Sequence, residues 1–196
     1  MRILLIGGGS GGHITPLLAV AHELKLLHPG IELVGVCEKN AAFVHLYHED
    51  QAIDRVLQVS AGKYRRYSGL SLKEKLTDIK TPVLNVRDAG RTLIGYRQAR
   101  RLLKELKPDA MLIKGGFVAV PIGLAASRLG IPFITHDSDS IPGLANRIVS
   151  KWASLHATGM PAELYAYAKD KIVYTGVPVS QNFKYINDSV RADYRS

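Results

Sequence analysis

Apolar residues in this chain fall into short unbroken runs, separated by stretches with a three-to-four-residue rhythm. RILLI (2–6), ELVGV (32–36), RVLQV (55–59), AMLIK (110–114), PFIT (132–135), SLHAT (154–158) and KIVYT (171–175) predict seven strands. Helices are predicted over 15–28, 40–50, 91–106, 118–129 and 143–152. Strands with no apolar–polar alternation are buried on both faces, so a parallel sheet covered by helices on both sides is expected. Right-handed crossovers then give a Rossmann-like, doubly wound α/β fold. Ligands of such sheets bind outside the carboxyl ends of the strands. That rule selects the loops at 7–15, 37–40, 60–90, 114–118 and 136–142.

In the helix over 91–106, Leu93, Ile94, Leu102, Leu103 and Leu106 are expected to face the sheet. Arg97, Arg100, Arg101 and Lys104 then face outward, and KPD (107–109) ends the helix. The stretch 60–90 shows no clear element, and a long loop of that kind is often functional. After Pro178 the tail is polar and turn-like. The expected organisation is one domain over 1–178 and the start of a linker over 179–196.

Composition narrows the class. With 196 residues, 46% hydrophobic and 22% charged, the chain resembles a soluble globular domain with a sizeable core. No apolar run approaches the roughly 20 residues that span a bilayer. RILLI runs straight into glycines and not into a cleavage site, so no signal peptide is expected. Cys37 is the single cysteine, which excludes a disulfide framework and a cysteine-based zinc site. A cytoplasmic protein is the expectation. The net charge of +9 is concentrated between Lys63 and Lys107, where 13 Lys and Arg face 4 Asp and Glu. Such a segment suits an anionic partner or a solvated helix face. No nucleic-acid motif accompanies the charge, so nucleic acid is not an expected partner.

Two glycine loops follow strands: GGGSGGH (7–13) and KGGF (114–117). Without a Cβ the backbone can approach a ligand closely, and the helix start beyond it offers free N–H groups to phosphate. Two such loops in one sheet suit a diphosphate. Gly7, Gly9 and Gly12 also fit the dinucleotide pattern G-x-G-x-x-G, and Glu38 fits its ribose-binding acid. Pro16 argues against that pattern if Thr15 caps the helix and Pro16 is its first residue. His13 then lies in the loop near the positive helix end, which favours the neutral ring. A neutral imidazole there can take a proton from a sugar hydroxyl. A third motif, HDSDSIPGLANR (136–147), follows PFIT at the ligand edge. It packs His136, Asp137 and Asp139 into four residues, with Asn146 in the following helix. As metal ligands the trio lacks further partners; as a sugar-binding loop its carboxylates can accept hydroxyl hydrogen bonds.

Together, GGGSGGHITP, KGGFVAVPIGLAA, HDSDSIPGLANR and TGVPVS resemble, in order and over nearly the whole chain, the N-terminal half of the MurG family. These are peripheral membrane UDP-N-acetylglucosamine–N-acetylmuramyl-(pentapeptide) pyrophosphoryl-undecaprenol N-acetylglucosaminyltransferases. The resemblance implies the GT-B architecture, with this chain as the acceptor-binding domain. It implies inverting transfer from UDP-N-acetylglucosamine to the undecaprenyl-diphosphate-linked muramyl pentapeptide (lipid I), forming lipid II, with no essential metal or other cofactor. It implies His13 as the base. Ser10, Gly11, Gly12, Gly115, Gly116, Phe117, His136, Asp137, Asp139 and Asn146 become donor or acceptor contacts. The family's His-Glu-x-Asn reads His136-Asp137-Ser138-Asp139 here, and Ser180 stands where an arginine is expected.

The resemblance also implies a donor domain beyond this stretch. A truncated enzyme is the favoured expectation, with a split, membrane-recruiting half as the alternative. A nucleotide-dependent oxidoreductase remains the rival from a different class. In 60–90, Lys63, Tyr64, Arg65, Arg66, Tyr67, Leu70 and Leu72 mix cations with aromatic and leucine side chains. That mixture suits an anionic membrane surface, here the inner face of the plasma membrane.

Overall fold

The computed structural model describes residues 1–63 and 80–180. All seven predicted strands are present: β1 (Arg2–Ile6), β2 (Glu32–Glu38), β3 (Arg55–Val59), β4 (Ala110–Ile113), β5 (Phe133–Asp137), β6 (Leu155–Thr158) and β7 (Ile172–Tyr174). They form one sheet in the order β3-β2-β1-β4-β5-β6-β7, and every pairing is parallel. The order reverses between β1 and β4, whose register runs from Ile3↔Ala110 to Ile6↔Ile113. That reversal opens a crevice at the carboxyl ends of the two central strands.

The helices are α1 (Gly11–Leu27), α2 (His45–Glu49), α3 (Lys80–Leu106), α4 (Ala119–Leu129) and α5 (Leu144–Val149). Successive strand residues point to opposite faces, so each strand feeds two cores. Leu5, Leu33 and Cys37 join Ile14, Leu17 and Ala21 of α1 on one side. Leu4, Ile6, Val34 and Val36 join Ala99 and Leu103 of α3, Ile122 of α4 and Val149 of α5 on the other. Burying each large aliphatic side chain contributes about 1.5–3 kcal/mol, so both layers are held by the sheet they cover.

Two helix expectations are corrected. Helix α1 starts at Gly11 after an extended Ser10, not at Pro16. Thr15 does not cap it; its Oγ1 donates to the Gly11 carbonyl at 3.2 Å. Proline at the sixth position forfeits only the bond to the Gly12 carbonyl, and Gly12 is exposed, so solvent can take that bond. The proline argument against the dinucleotide pattern therefore fails. Helix α3 starts eleven residues before the expected Arg91. Its buried face carries Asp88, Thr92, Ala99, Leu103 and Leu106, while Leu93 and Ile94 are half exposed. Gly62 and Gly95 let the 60–62 segment lie directly on this helix. A Cβ on Gly62 would meet the Asp88 backbone, and one on Gly95 would meet the Ser60 carbonyl.

Candidate active site

The crevice between β1 and β4 holds a cavity of about 630 Å³. Its lining brings together Ser10, Gly12, His13, Gly115, Gly116, Phe117, His136, Asp137, Asp139 and Asn146. Gly11 is the exception among the expected contacts: its Cβ position faces Phe43 and Leu46 instead. The two glycine loops touch. A Cβ on Gly116 would stand 2.3 Å from the Gly8 oxygen, and Gly116 has φ +83°, so only glycine fits there. Glu38 fixes the first loop by accepting from Gly9 N–H at 2.8 Å. That bond engages Oε1 of the carboxylate expected to hold a ribose in the dinucleotide pattern, while Oε2 is buried without a partner.

His13 lies in the first turn of α1 and not in the loop before it. Its Nδ1 is 2.6 Å from the Gly8 carbonyl oxygen. A carbonyl only accepts, so Nδ1 carries the hydrogen and Nε2 keeps its lone pair. Nε2 faces Gly115, 3.2 Å from where a Cβ would sit. Burial is the main cause that lowers the ring's pKa below its ordinary value, and the Lys114 ammonium adds to it. The Gly8 bond, Glu38 and Asp139 act in the opposite direction. The ring is thus held neutral as expected, with desolvation as the leading reason.

The opposite wall comes from β5 and α5. Asn146 Nδ2 donates to the His136 carbonyl at 3.0 Å and Asp137 Oδ1 at 2.9 Å, and sits 3.4 Å from the Lys114 carbonyl. Three acceptors around one nitrogen settle the amide orientation. Its Oδ1 is buried and unpaired. Tyr167 donates to Asp137 Oδ2 at 2.9 Å, so both carboxylate oxygens are engaged. His136 donates from Nε2 to the Gly176 carbonyl at 3.0 Å. Its Nδ1 is buried without a partner, and burial again lowers its pKa first. Asp139 is exposed at the mouth, and its backbone oxygen accepts from Tyr165.

Sequence reasoning missed Lys114, Gly62, Tyr165 and Tyr167. Lys114 left a signal as a charge ending an apolar strand at the ligand edge, and Gly62 lies in the 60–90 stretch that the carboxyl-edge rule selects. Of the residues expected at a membrane, Lys63 sits with its Nζ 5.7 Å above the Phe117 ring. Tyr64, Arg65, Arg66, Tyr67, Leu70 and Leu72 lie outside the described residues, as does most of the expected linker. Among the described residues no cluster of three or more His, Cys, Asp or Glu could hold a metal. No helix among them is long and apolar enough to cross a membrane.

The geometry has parallels in known proteins. Residues 3–158 match the glycosyltransferase family 28 N-terminal domain. The UDP-N-acetylglucosamine–N-acetylmuramyl-(pentapeptide) pyrophosphoryl-undecaprenol N-acetylglucosamine transferase of Lachnoclostridium phytofermentans is 38% identical, over 91% of this chain and 45% of its own length. The Lachnospira eligens enzyme of the same name is 37% identical, over 98% and 49%. The chain thus spans about half the length of the curated relatives it matches. The crystal structure of Acinetobacter baumannii MurG superposes with a TM-score of 0.65 at 28% identity, over 92% of this chain and 46% of that one. By its sheet, its paired glycine loops and its sequence, the chain belongs to glycosyltransferase family 28, with the N-terminal half of the GT-B fold that MurG enzymes carry.

Proposed function

We propose that this chain is the acceptor-binding half of an inverting N-acetylglucosaminyltransferase of peptidoglycan precursor synthesis. UDP-N-acetylglucosamine is the donor, and a muramyl pentapeptide on undecaprenyl diphosphate (lipid I) is the acceptor. The names of the relatives supply the two substrates. The observation that carries the reading is the unprotonated Nε2 of His13, turned into a cavity between two glycine loops. In the proposed step the acceptor hydroxyl passes its proton to Nε2 as its oxygen attacks the anomeric carbon of the donor. The bond from that carbon to UDP breaks, UDP takes the electron pair, and the configuration inverts. Backbone N–H groups of the glycine loops hold the acceptor diphosphate, so the proposed step calls on no metal.

The reading places the protein on the cytoplasmic face of the membrane, against an anionic surface. Lys63 and the residues to Leu72 provide the contact, and Arg97, Arg100, Arg101 and Lys104 line a basic groove with Arg128 on the outer side of α3. The test of the chemistry is His13→Ala, assayed for transfer in the presence of the donor-binding half. Turnover is expected to fall by roughly 10²–10⁴. A loss of tenfold or less removes His13 from the base role. Saturable binding of NAD(H) would instead favour an oxidoreductase.

A further inference from the structure

Lys114 lines the cavity, yet the transfer step above does not use its side chain. The residue follows β4 and is 5% exposed. Its backbone is committed: the N–H donates to the Ile6 carbonyl at 2.8 Å, and the Asn146 amide approaches its carbonyl. Its ammonium is not committed. Among the described residues it has no hydrogen-bond acceptor, and no carboxylate stands within 4.0 Å. Asp137 is already satisfied by Asn146 and Tyr167, and Asp139 is out at the mouth. Largely desolvating an ammonium that has no protein acceptor is costly. Lys114 lines the same cavity as Gly115 and Gly116, in the loop packed against Gly8. A nearly buried cation in a cavity walled by two glycine loops suits an anion.

Resting on the acceptor-diphosphate reading, we propose that the Lys114 ammonium receives a phosphate group of the ligand in this cavity, and that this pairing releases His13 to act as a base. The charges facing His13 are Lys114 from the β4 end, Glu38 from β2 and Asp139 from the loop after β5. Those facing Lys114 are Asp137 and Asp139. With the site empty, the ammonium opposes protonation of His13. With a phosphate seated on it, that opposition is cancelled, and the ring becomes a stronger proton acceptor only when an acceptor is bound. His136, which also feels the Lys114 charge, has its donor tied to Gly176 and its other nitrogen buried, so it does not take over this role.

The experiment uses the 196-residue chain and inorganic pyrophosphate, with calorimetry for affinity and proton NMR for the His13 ring titration. Pyrophosphate is expected to bind saturably and to move the His13 midpoint to higher pH. Lys114→Met should weaken pyrophosphate by about tenfold or more. It should also raise the His13 midpoint without ligand and raise the melting temperature by about 2–4 °C, since an unpaired buried charge is removed. An unchanged affinity, an unmoved His13 midpoint or a lowered melting temperature in Lys114→Met overturns the proposal. So does a pyrophosphate-saturated wild-type chain whose His13 titrates as before. Two competitors separate the possible sources of the phosphate. A short prenyl diphosphate should displace pyrophosphate where UDP does not, and the reverse overturns the assignment to the acceptor. Failure of the wider reading looks different: pyrophosphate would bind through Lys114, while His13→Ala leaves transfer within tenfold.

Discussion

The two walls of the cavity each offer a histidine and a set of polar groups, yet they are built on opposite plans. The wall from β1 and β4 is mostly backbone: two glycine loops in contact, with His13 as its one imidazole among the described residues. The wall from β5 and α5 carries the denser set of titratable groups, and its inner members are already engaged. His136 is bonded to Gly176, Asp137 to Asn146 and Tyr167, and Tyr167 also stacks on His156 with ring centres 3.9 Å apart. Burial lowers the pKa of both His13 and His136. They differ in which nitrogen is free and where it points. In His13 the lone pair meets the cavity; in His136 it is shut in protein. A cluster of His and Asp is therefore no measure of reactivity. What counts is a lone pair with space in front of it.

Exchanging the two histidines tests this contrast most severely. His13→Ala is expected to cost roughly 10²–10⁴ in turnover. His136→Gln keeps an N–H that can reach Gly176, and should cost at least about tenfold less turnover than that. Equal losses, measured with the donor-binding half present, would erase the distinction between the walls. Next in size is Gly116→Ala. It forces a Cβ against the Gly8 carbonyl at a positive φ, and about 2–4 kcal/mol of folding stability should be lost in denaturant titration. Retained stability would mean that the two loops do not hold each other.

On the other wall, Tyr167→Phe removes one of the two donors to Asp137. A loss of about 1–3 kcal/mol is expected, because the carboxylate is left buried and undersatisfied. An unchanged unfolding midpoint would show that the network is not structural. The smallest effect is on pH. His13, His136 and His156 all have folded pKa values below the ordinary 6.5. Below that pH the unfolded chain takes up protons that the folded one refuses, so stability should fall as pH drops from about 6.5, and these three rings should contribute no further change above it. Replacing His136 by Gln should flatten that acid slope. An unaltered slope would place the effect on other groups.

Much of this was legible in the chain. Seven apolar runs became seven strands, and loops that the carboxyl-edge rule selected did meet, because runs buried on both faces leave a parallel sheet little choice of where its loops emerge. The errors sit at α1 and α3. Thr15-Pro16 reads as a helix start, but the turn from Gly11 is affordable because proline forfeits only one bond, at an exposed carbonyl. Leu93 and Ile94 look like core, but α3 starts earlier and its phase is set by Gly62 and Gly95 against the 60–62 segment, a contact between distant stretches.

Local pattern thus determined the elements, the fold class and the residues that could do chemistry. Only the packed structure decided which of them is free to do it. His13 and His136 are equivalent as letters. The direction of a ring's lone pair depends on which carbonyl lies beside it, and the two carbonyls here are reached differently: Gly8 is a neighbour in the chain, whereas Gly176 comes forty residues later. Lys114 shows the same limit. A lysine ending a strand is visible in sequence, but its burial with no carboxylate of the described residues close enough to pair with it is a property of strands and loops that meet only on folding.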